Sequence, residues 1–168
     1  MTYITATAFL ERFGAHEIAQ RVDRGTPRRV TAELLIAVAA SADLSGYPPE
    51  AVAAAAVALI VVQRALNDAR DTIDSNISPR YPLPISPVPA VLERTAGDLA
   101  RYYLYDDRVT EPVKDRYDDA MKYLVAVRDG KAQLGADGAT GAQPPSSAGA
   151  ELVSGGRVWN RGSGNAFV

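Results

Sequence analysis

Five prolines crowd the segment SPRYPLPISPVP, at positions 79, 82, 84, 87 and 89. Proline removes a backbone donor and fixes φ, and it drives the residue before it out of the helical region. No helix or central strand runs through that density. The segment is therefore predicted as an extended, polyproline-like crossover between two helical halves.

The longest helix is predicted before the crossover. Pro48-Pro49-Glu50 is a helix start, with proline in the first turn and an acid where it complements the helix dipole. From there the pattern runs to about Asn76, roughly 40 Å at ~1.5 Å per residue. Its first half, AVAAAAVALIVV, is apolar almost all round, which predicts burial on most faces, within the domain or between subunits. In its second half Leu66, Ala69, Ile73 and Ile77 recur at helical spacing, with Arg70, Asp71 and Asp74 facing elsewhere.

Shorter helices precede it. Thr5 or Thr7 caps one through Phe9, Leu10 and Phe13, with Gly14 after its end. A second runs from Ala15 to Arg24, GTPRR is a loop, and Thr31 caps AELLIAVAASA. After the crossover, Ser86 or Pro87 opens a helix whose face is Val88, Val91, Leu92, Thr95, Ala96, Leu99 and Tyr103, ending near Asp107. Thr110-Glu111-Pro112 starts the last one, with Val113, Tyr117, Ala120, Met121, Leu124 and Val127 as its apolar stripe and Gly130 as its stop. No strand pattern or internal repeat is present. The fold class is all-α: a helical bundle with one long helix, a Pro-rich crossover and an extended C-terminal arm.

That arm begins at Gly135 with GADGATGAQPPSSAGAELVSGG, too poor in large apolar residues to hold a fold. It closes with RVWNRGSGNAFV, which carries the one Trp of the chain. The predicted units are a helical domain over 1–134, a linker over 135–156 and a docking peptide over 157–168. Trp and Arg are enriched at binding hot spots, so Arg157, Val158, Trp159, Asn160, Arg161 and Phe167 are the candidate docking residues. The plainer alternative is a disordered terminus that happens to contain a Trp.

Composition narrows the function classes. The formal net charge of −2, with both signs interspersed, lacks the basic footprint of a nucleic-acid binder. There is no Cys, which excludes disulfides and thiolate metal sites. The N-terminus has no signal-peptide pattern, and the longest uncharged apolar run, Ala51 to Val62, falls short of the ~20 residues of a bilayer span. A soluble protein made in the cytoplasm is predicted, with no membrane partner.

Catalytic constellations are weak. His16 is the one histidine and has no Glu-x-x-His partner, so a surface histidine is the simpler reading. Asp68, Asp71 and Asp74 share a helix face and are the enzyme-class alternative, as a divalent-cation site. Arg64 and Arg70 are close enough to pair with them, which makes a solvated, salt-bridged face the expectation. The glycines of the arm lack the strand, helix and Lys-Ser/Thr of a phosphate loop. In Tyr102-Tyr103-Leu104-Tyr105, Tyr103 is expected to enter the core, with Tyr102 and Tyr105 nearer the rim or at a subunit interface. No catalytic residue, metal or cofactor is predicted.

Several segments recur together in a known pattern: YITATAFLERFG at the N-terminus, Ala69-Ile73-Asp74, RYPLP at 80–84, DLARYYLYDD at 98–107, RYDDAMKYL at 116–124, then Gly130-Lys131 and Leu134-Gly135. With them the chain resembles the Mu-type bacteriophage neck protein family. The resemblance covers 1–25, about 60–135 and, more loosely, the terminal RVWNRGSGNAF. Thr31 to about Val57 departs from it, being longer and more apolar.

The resemblance implies a head–tail connector in the virion neck: a non-enzymatic ring of typically about twelve copies beneath the portal protein. Such a ring extends the DNA channel without sequence-specific binding and offers a surface to the next neck or tail-terminator protein. Val52, Val57, Leu59, Ile60, Tyr102 and Tyr105 are then candidates for the contact between copies. The docking peptide would grip the portal or a neighbouring subunit, across a linker whose random-coil reach is ~25 Å. The competing binding-module reading is a cytoplasmic helical adaptor that engages a host or phage partner through the same peptide.

Overall fold

A computed structural model describes residues 2–134. The expected linker over 135–156 and the docking residues Arg157, Val158, Trp159, Asn160, Arg161 and Phe167 lie outside the described residues. Six α-helices occur in the order α1 (Ala6–Phe13), α2 (Ala15–Val22), α3 (Ala32–Ala39), α4 (Pro49–Ile77), α5 (Ala90–Tyr105) and α6 (Glu111–Arg128), with no strand among the described residues.

Local chemistry explains most of the boundaries. Thr5 and Thr31 cap α1 and α3, each accepting a backbone N–H bond at 3.2 Å. Gly14, at φ 85°, turns the chain between α1 and α2. Pro49 opens α4 in the first turn, and Gly130, at φ 78°, follows α6.

Three expectations need correction. Helix α2 stops at Val22 rather than Arg24 because Asp23 draws the chain aside. Its carboxylate accepts the backbone N–H groups of Gly25, Arg29 and Val30 at 2.9, 2.6 and 2.8 Å. Helix α5 starts at Ala90, after Ser86 and Pro87, because Ser86 and Val88 each precede a proline and are kept out of the helical region. The crossover is a run of bends rather than an extended segment, with cis peptides at Leu83–Pro84 and Ser86–Pro87, and it turns Tyr81 and Ile85 into the core.

Helix α4 is the axis of the domain, in contact with α1, α2, α3, α5 and α6. Its buried stripe is Ala55, Ala58, Val62, Ala65, Leu66, Ala69, Ile73 and Ile77, so small residues let neighbours approach the first half and larger ones fill the second. Leu92, Ala96, Leu99 and Ala100 of α5 and Leu124 and Val127 of α6 join the same core, with Phe9, Leu10, Ile18 and Leu35 from the N-terminal helices.

Segments far apart in sequence meet on this core. The Tyr3 hydroxyl donates to Asp74 of α4. Leu134, almost fully buried, donates its backbone N–H to the Tyr81 hydroxyl at 3.4 Å, and the Tyr123 hydroxyl donates to the Gln133 carbonyl at 3.2 Å. The end of the described chain is thereby held against the crossover.

Candidate interaction surfaces

Helix α4 shows one continuous outer face, made of Ala53, Ala56, Val57, Ile60, Gln63, Arg64, Asn67, Asp68 and Asp71, all exposed. The i, i+3, i+4, i+7 spacing places them on a single stripe. That stripe changes character along its length. Its first part is wholly apolar, and beyond Ile60 it is wholly polar. Val57 is 63% exposed and Ile60 55%. Covering two such side chains is worth on the order of 3 kcal/mol, which this subunit leaves unrealised.

The candidate contact residues separate on this surface. Val57 and Ile60 point outward, and Val52 is half-buried. Leu59, one residue from Ile60 and so about 100° around the helix, packs against the core. Of the two expected ways of covering the first half of α4, within the domain or between subunits, the subunit itself supplies only part, since Ala53, Ala56, Val57 and Ile60 stay exposed.

The tyrosines also differ from expectation. Tyr105, placed near the rim by the sequence, is the most buried of the three at 6% exposed, whereas Tyr103 is half-buried. Glu17 of α2 explains the difference. Its carboxylate accepts the Tyr105 hydroxyl at 2.7 Å and two guanidinium N–H groups of Arg101 at 2.9 Å each. Arg21 lies over the Tyr105 ring, at 4.1 Å from the centroid. Tyr105 is thus committed within the subunit. Tyr102 instead stacks on Tyr117 of α6 with centroids 3.9 Å apart, and Tyr103 bonds Thr72 of α4 at 3.0 Å. Burial raises the Tyr117 hydroxyl above its ordinary value, with the neighbouring Tyr103 and Tyr102 acting in the same direction.

The acidic row of α4 is partly paired. Asp71 lies 2.6 Å from Arg70, and Asp74 lies 4.0 Å from it while accepting the Tyr3 hydroxyl. Burial and that hydrogen bond raise the Tyr3 hydroxyl well above its ordinary value. His16 is exposed and contacts Gln20 at 2.8 Å.

One feature escaped the sequence reading. A cleft of about 610 Å³ between α1, α5 and α6 is lined by Arg12, Phe13, Arg94, Thr95, Asp98, Arg116, Asp119, Ala120 and Tyr123. Burial raises the Asp98 carboxyl above its ordinary value, although Arg116, Arg12, Arg94 and Arg101 all favour its charge. The local signal is Arg94-Asp98-Arg101 at helical spacing on α5. Nothing in that spacing indicates that Arg12 and Arg116 arrive beside it.

A bundle with an uncovered apolar stripe and, among the described residues, no built catalytic constellation is compatible with many roles, and relatives narrow them. The family model described as "Bacteriophage Mu, Gp36" matches residues 3–153. This chain belongs to that family. The matched span includes the apolar 31–57 segment and stops before the 157–168 peptide. The "Mu-like prophage FluMu protein gp36" of Haemophilus influenzae is 41% identical over 109 residues, 64% of this chain and 75% of that protein. "Gene product J" of Escherichia phage Mu is 37% identical over 84 residues, 50% of this chain and 60% of that protein. The chain is a Mu-type bacteriophage protein, and membership points to a structural component of the phage.

Proposed function

We propose that this protein is a structural, non-enzymatic component of the virion neck. In this reading it forms a head–tail connector ring under the portal and joins the capsid to the tail. The observation that carries it is the outer face of α4, apolar through Ala53, Ala56, Val57 and Ile60 and polar beyond them. An isolated subunit gains nothing from that arrangement, whereas a ring of copies covers an apolar stripe at every junction.

In a closed ring each copy offers one surface to its left neighbour and another to its right. The apolar part of α4, with Val57 and Ile60 at its centre and Val52 at its edge, supplies one of the two. Tyr102, half-buried on Tyr117, is a second candidate contact. The 157–168 peptide, with Arg157, Val158, Trp159, Asn160, Arg161 and Phe167, supplies a further contact to the portal. Many weak peptide contacts on one ring give avidity without any single tight site. The mild net negative charge suits a channel through which DNA passes without adhering, and the lower end of the ring receives the tail-terminator protein.

Negative-stain imaging of the purified protein with its portal tests the reading, with rings on the portal vertex as the expected result. Deletion of residues 153–168 is expected to leave the helical domain folded and abolish joining of heads to tails. Monomers that bind only an unrelated cytoplasmic partner through the peptide would replace the connector by the adaptor reading.

A further inference from the structure

The cleft between α1, α5 and α6 has a chemistry that the neck reading does not use. Arg12 arrives from the last turn of α1, Arg94 from the first turns of α5 and Arg116 from α6. None of the three forms an ion pair with a carboxylate among the described residues, which they share with Arg21, Arg28, Arg64, Arg80 and Arg108; what sets them apart is that they line one cleft with partly apolar walls. Three guanidinium groups therefore converge on one concave space with their donors available. The acids that line it are Asp98, half-buried at its floor, and Asp119, which pairs with Lys122 at 3.2 Å.

The cleft is built rather than incidental. Gly97 lets the Phe13 ring lie against the α5 backbone, since a Cβ there would stand 2.9 Å from the ring edge. That close approach brings the C-terminal end of α1 beside Arg94 and Asp98. Arg101 lies over the same ring at 5.2 Å and is itself held by Glu17. The walls are then aromatic and aliphatic, from Phe13, Tyr123 and Ala120, and the rim is cationic.

We propose that this cleft is a binding site for an acidic protein segment, whose side-chain carboxylates pair with Arg12, Arg94 and Arg116. Guanidinium groups match carboxylates in two-point geometry, and a concave, partly apolar setting strengthens each pair relative to open water. The apolar walls receive the aliphatic stems of glutamates or a neighbouring apolar residue. A nucleic-acid backbone suits the cleft less well. Asp98 and Asp119 interrupt the cationic lining, and a run of phosphates needs a continuous basic track rather than one local group of three exposed arginines. The inference is independent of the ring, because it concerns a different face from the outer stripe of α4.

The test is fluorescence anisotropy on the full chain with a labelled polyglutamate peptide, with unlabelled single-stranded oligonucleotide and inorganic phosphate as competitors. Arg94→Glu with Arg116→Glu is expected to weaken peptide binding about tenfold or more. The charge-matched control is Arg28→Glu with Arg108→Glu, in a second arginine-lined cleft between α2 and the end of α5. It is expected to change binding less than about twofold, if attraction at the first cleft is local. Asp98→Asn removes the carboxylate from the cleft floor and is expected to tighten binding; this variant decides the matter if the Arg94/Arg116 variant fails to fold by circular dichroism. Equal losses in the two double variants would overturn the proposal, as would unchanged or weaker binding by Asp98→Asn. Tighter binding of the oligonucleotide than of the peptide, or displacement of the peptide by phosphate at comparable concentration, would also overturn it.

Discussion

Gly97 of α5 lies directly under the Phe13 ring of α1, so close that a Cβ at Gly97 would stand 2.9 Å from one ring carbon and 3.2 Å from another. Glycine in a helix interior costs about 1 kcal/mol relative to alanine. Here that cost is offset by the contact it permits. Phe13 packs at 5.1 Å on Phe9, whose side chain is fully buried, so a shift of the ring into the neighbouring cleft gives up that contact. Gly97→Ala is expected to destabilise by about 1–2 kcal/mol despite its better helix propensity. Urea midpoints at unchanged slope measure it, and a stabilised variant would show that α1 shifts without strain.

Asp23 organises the loop between α2 and α3. Burial pushes its carboxyl up, but the backbone donors of Val30, Gly25 and Arg29 more than offset this and hold it below its ordinary value of 3.8. A depressed folded value means stability that is fully present above the unfolded value and is lost as pH falls through the folded one. Asp23→Ala is expected to cost about 2 kcal/mol at pH 7, since three backbone donors lose their acceptor. The gap from wild type should narrow below about pH 4, as the wild-type carboxyl itself takes up a proton. Thermal melts across pH 3–7 check both statements.

Glu17 joins α2 to α5 through Arg101 and Tyr105. The Arg101 side chain is 17% exposed and that of Glu17 33%, so the pair is worth more than a surface bridge and less than a fully buried one. Glu17→Ala is expected to lose about 1–2 kcal/mol, and Tyr105→Phe about 1 kcal/mol or less. A double-mutant cycle between Glu17 and Arg101 gives the coupling directly, and a coupling of zero would contradict the assigned role.

Val57 and Ile60 separate subunit stability from assembly. Val57→Glu with Ile60→Lys is expected to leave the monomer within about 0.5 kcal/mol of wild type, since both side chains are already exposed. The same variant should lose self-association in sedimentation velocity. Retained rings would remove α4 from the subunit interface.

Much of the fold was legible because its signals are local. Thr5, Thr31, Pro49 and Gly130 mark their helix ends by chemistry that acts within one or two turns. The stripe Leu66, Ala69, Ile73 and Ile77 is buried as its periodicity predicts. The errors arose where a distant or looped partner decided the outcome. Asp23 shortened α2 by gathering donors up to seven residues ahead. Tyr105 entered the interior because Glu17, 88 residues away, accepts its hydroxyl. The arginine cleft stayed hidden for the same reason, as its members come from three helices.

The sequence by itself determined the helical class, the Thr31 cap, the length of α4 and the family, since each depends on residues within a few turns or on recurring motifs. It also showed that the first half of α4 carries more apolar surface than a helix of a small bundle needs. Only the tertiary structure decided which part of that surface remains open. The packing of α1, α2, α3, α5 and α6 around one side of α4 leaves Ala53, Ala56, Val57 and Ile60 uncovered. The same packing joins segments that sequence can only set side by side in a pattern: Tyr3 to Asp74, Tyr81 to Leu134, Tyr102 to Tyr117. Periodicity states that a helix has an apolar face. Which faces find partners within the chain depends on contacts between residues far apart in sequence, and local spacing carries no record of them.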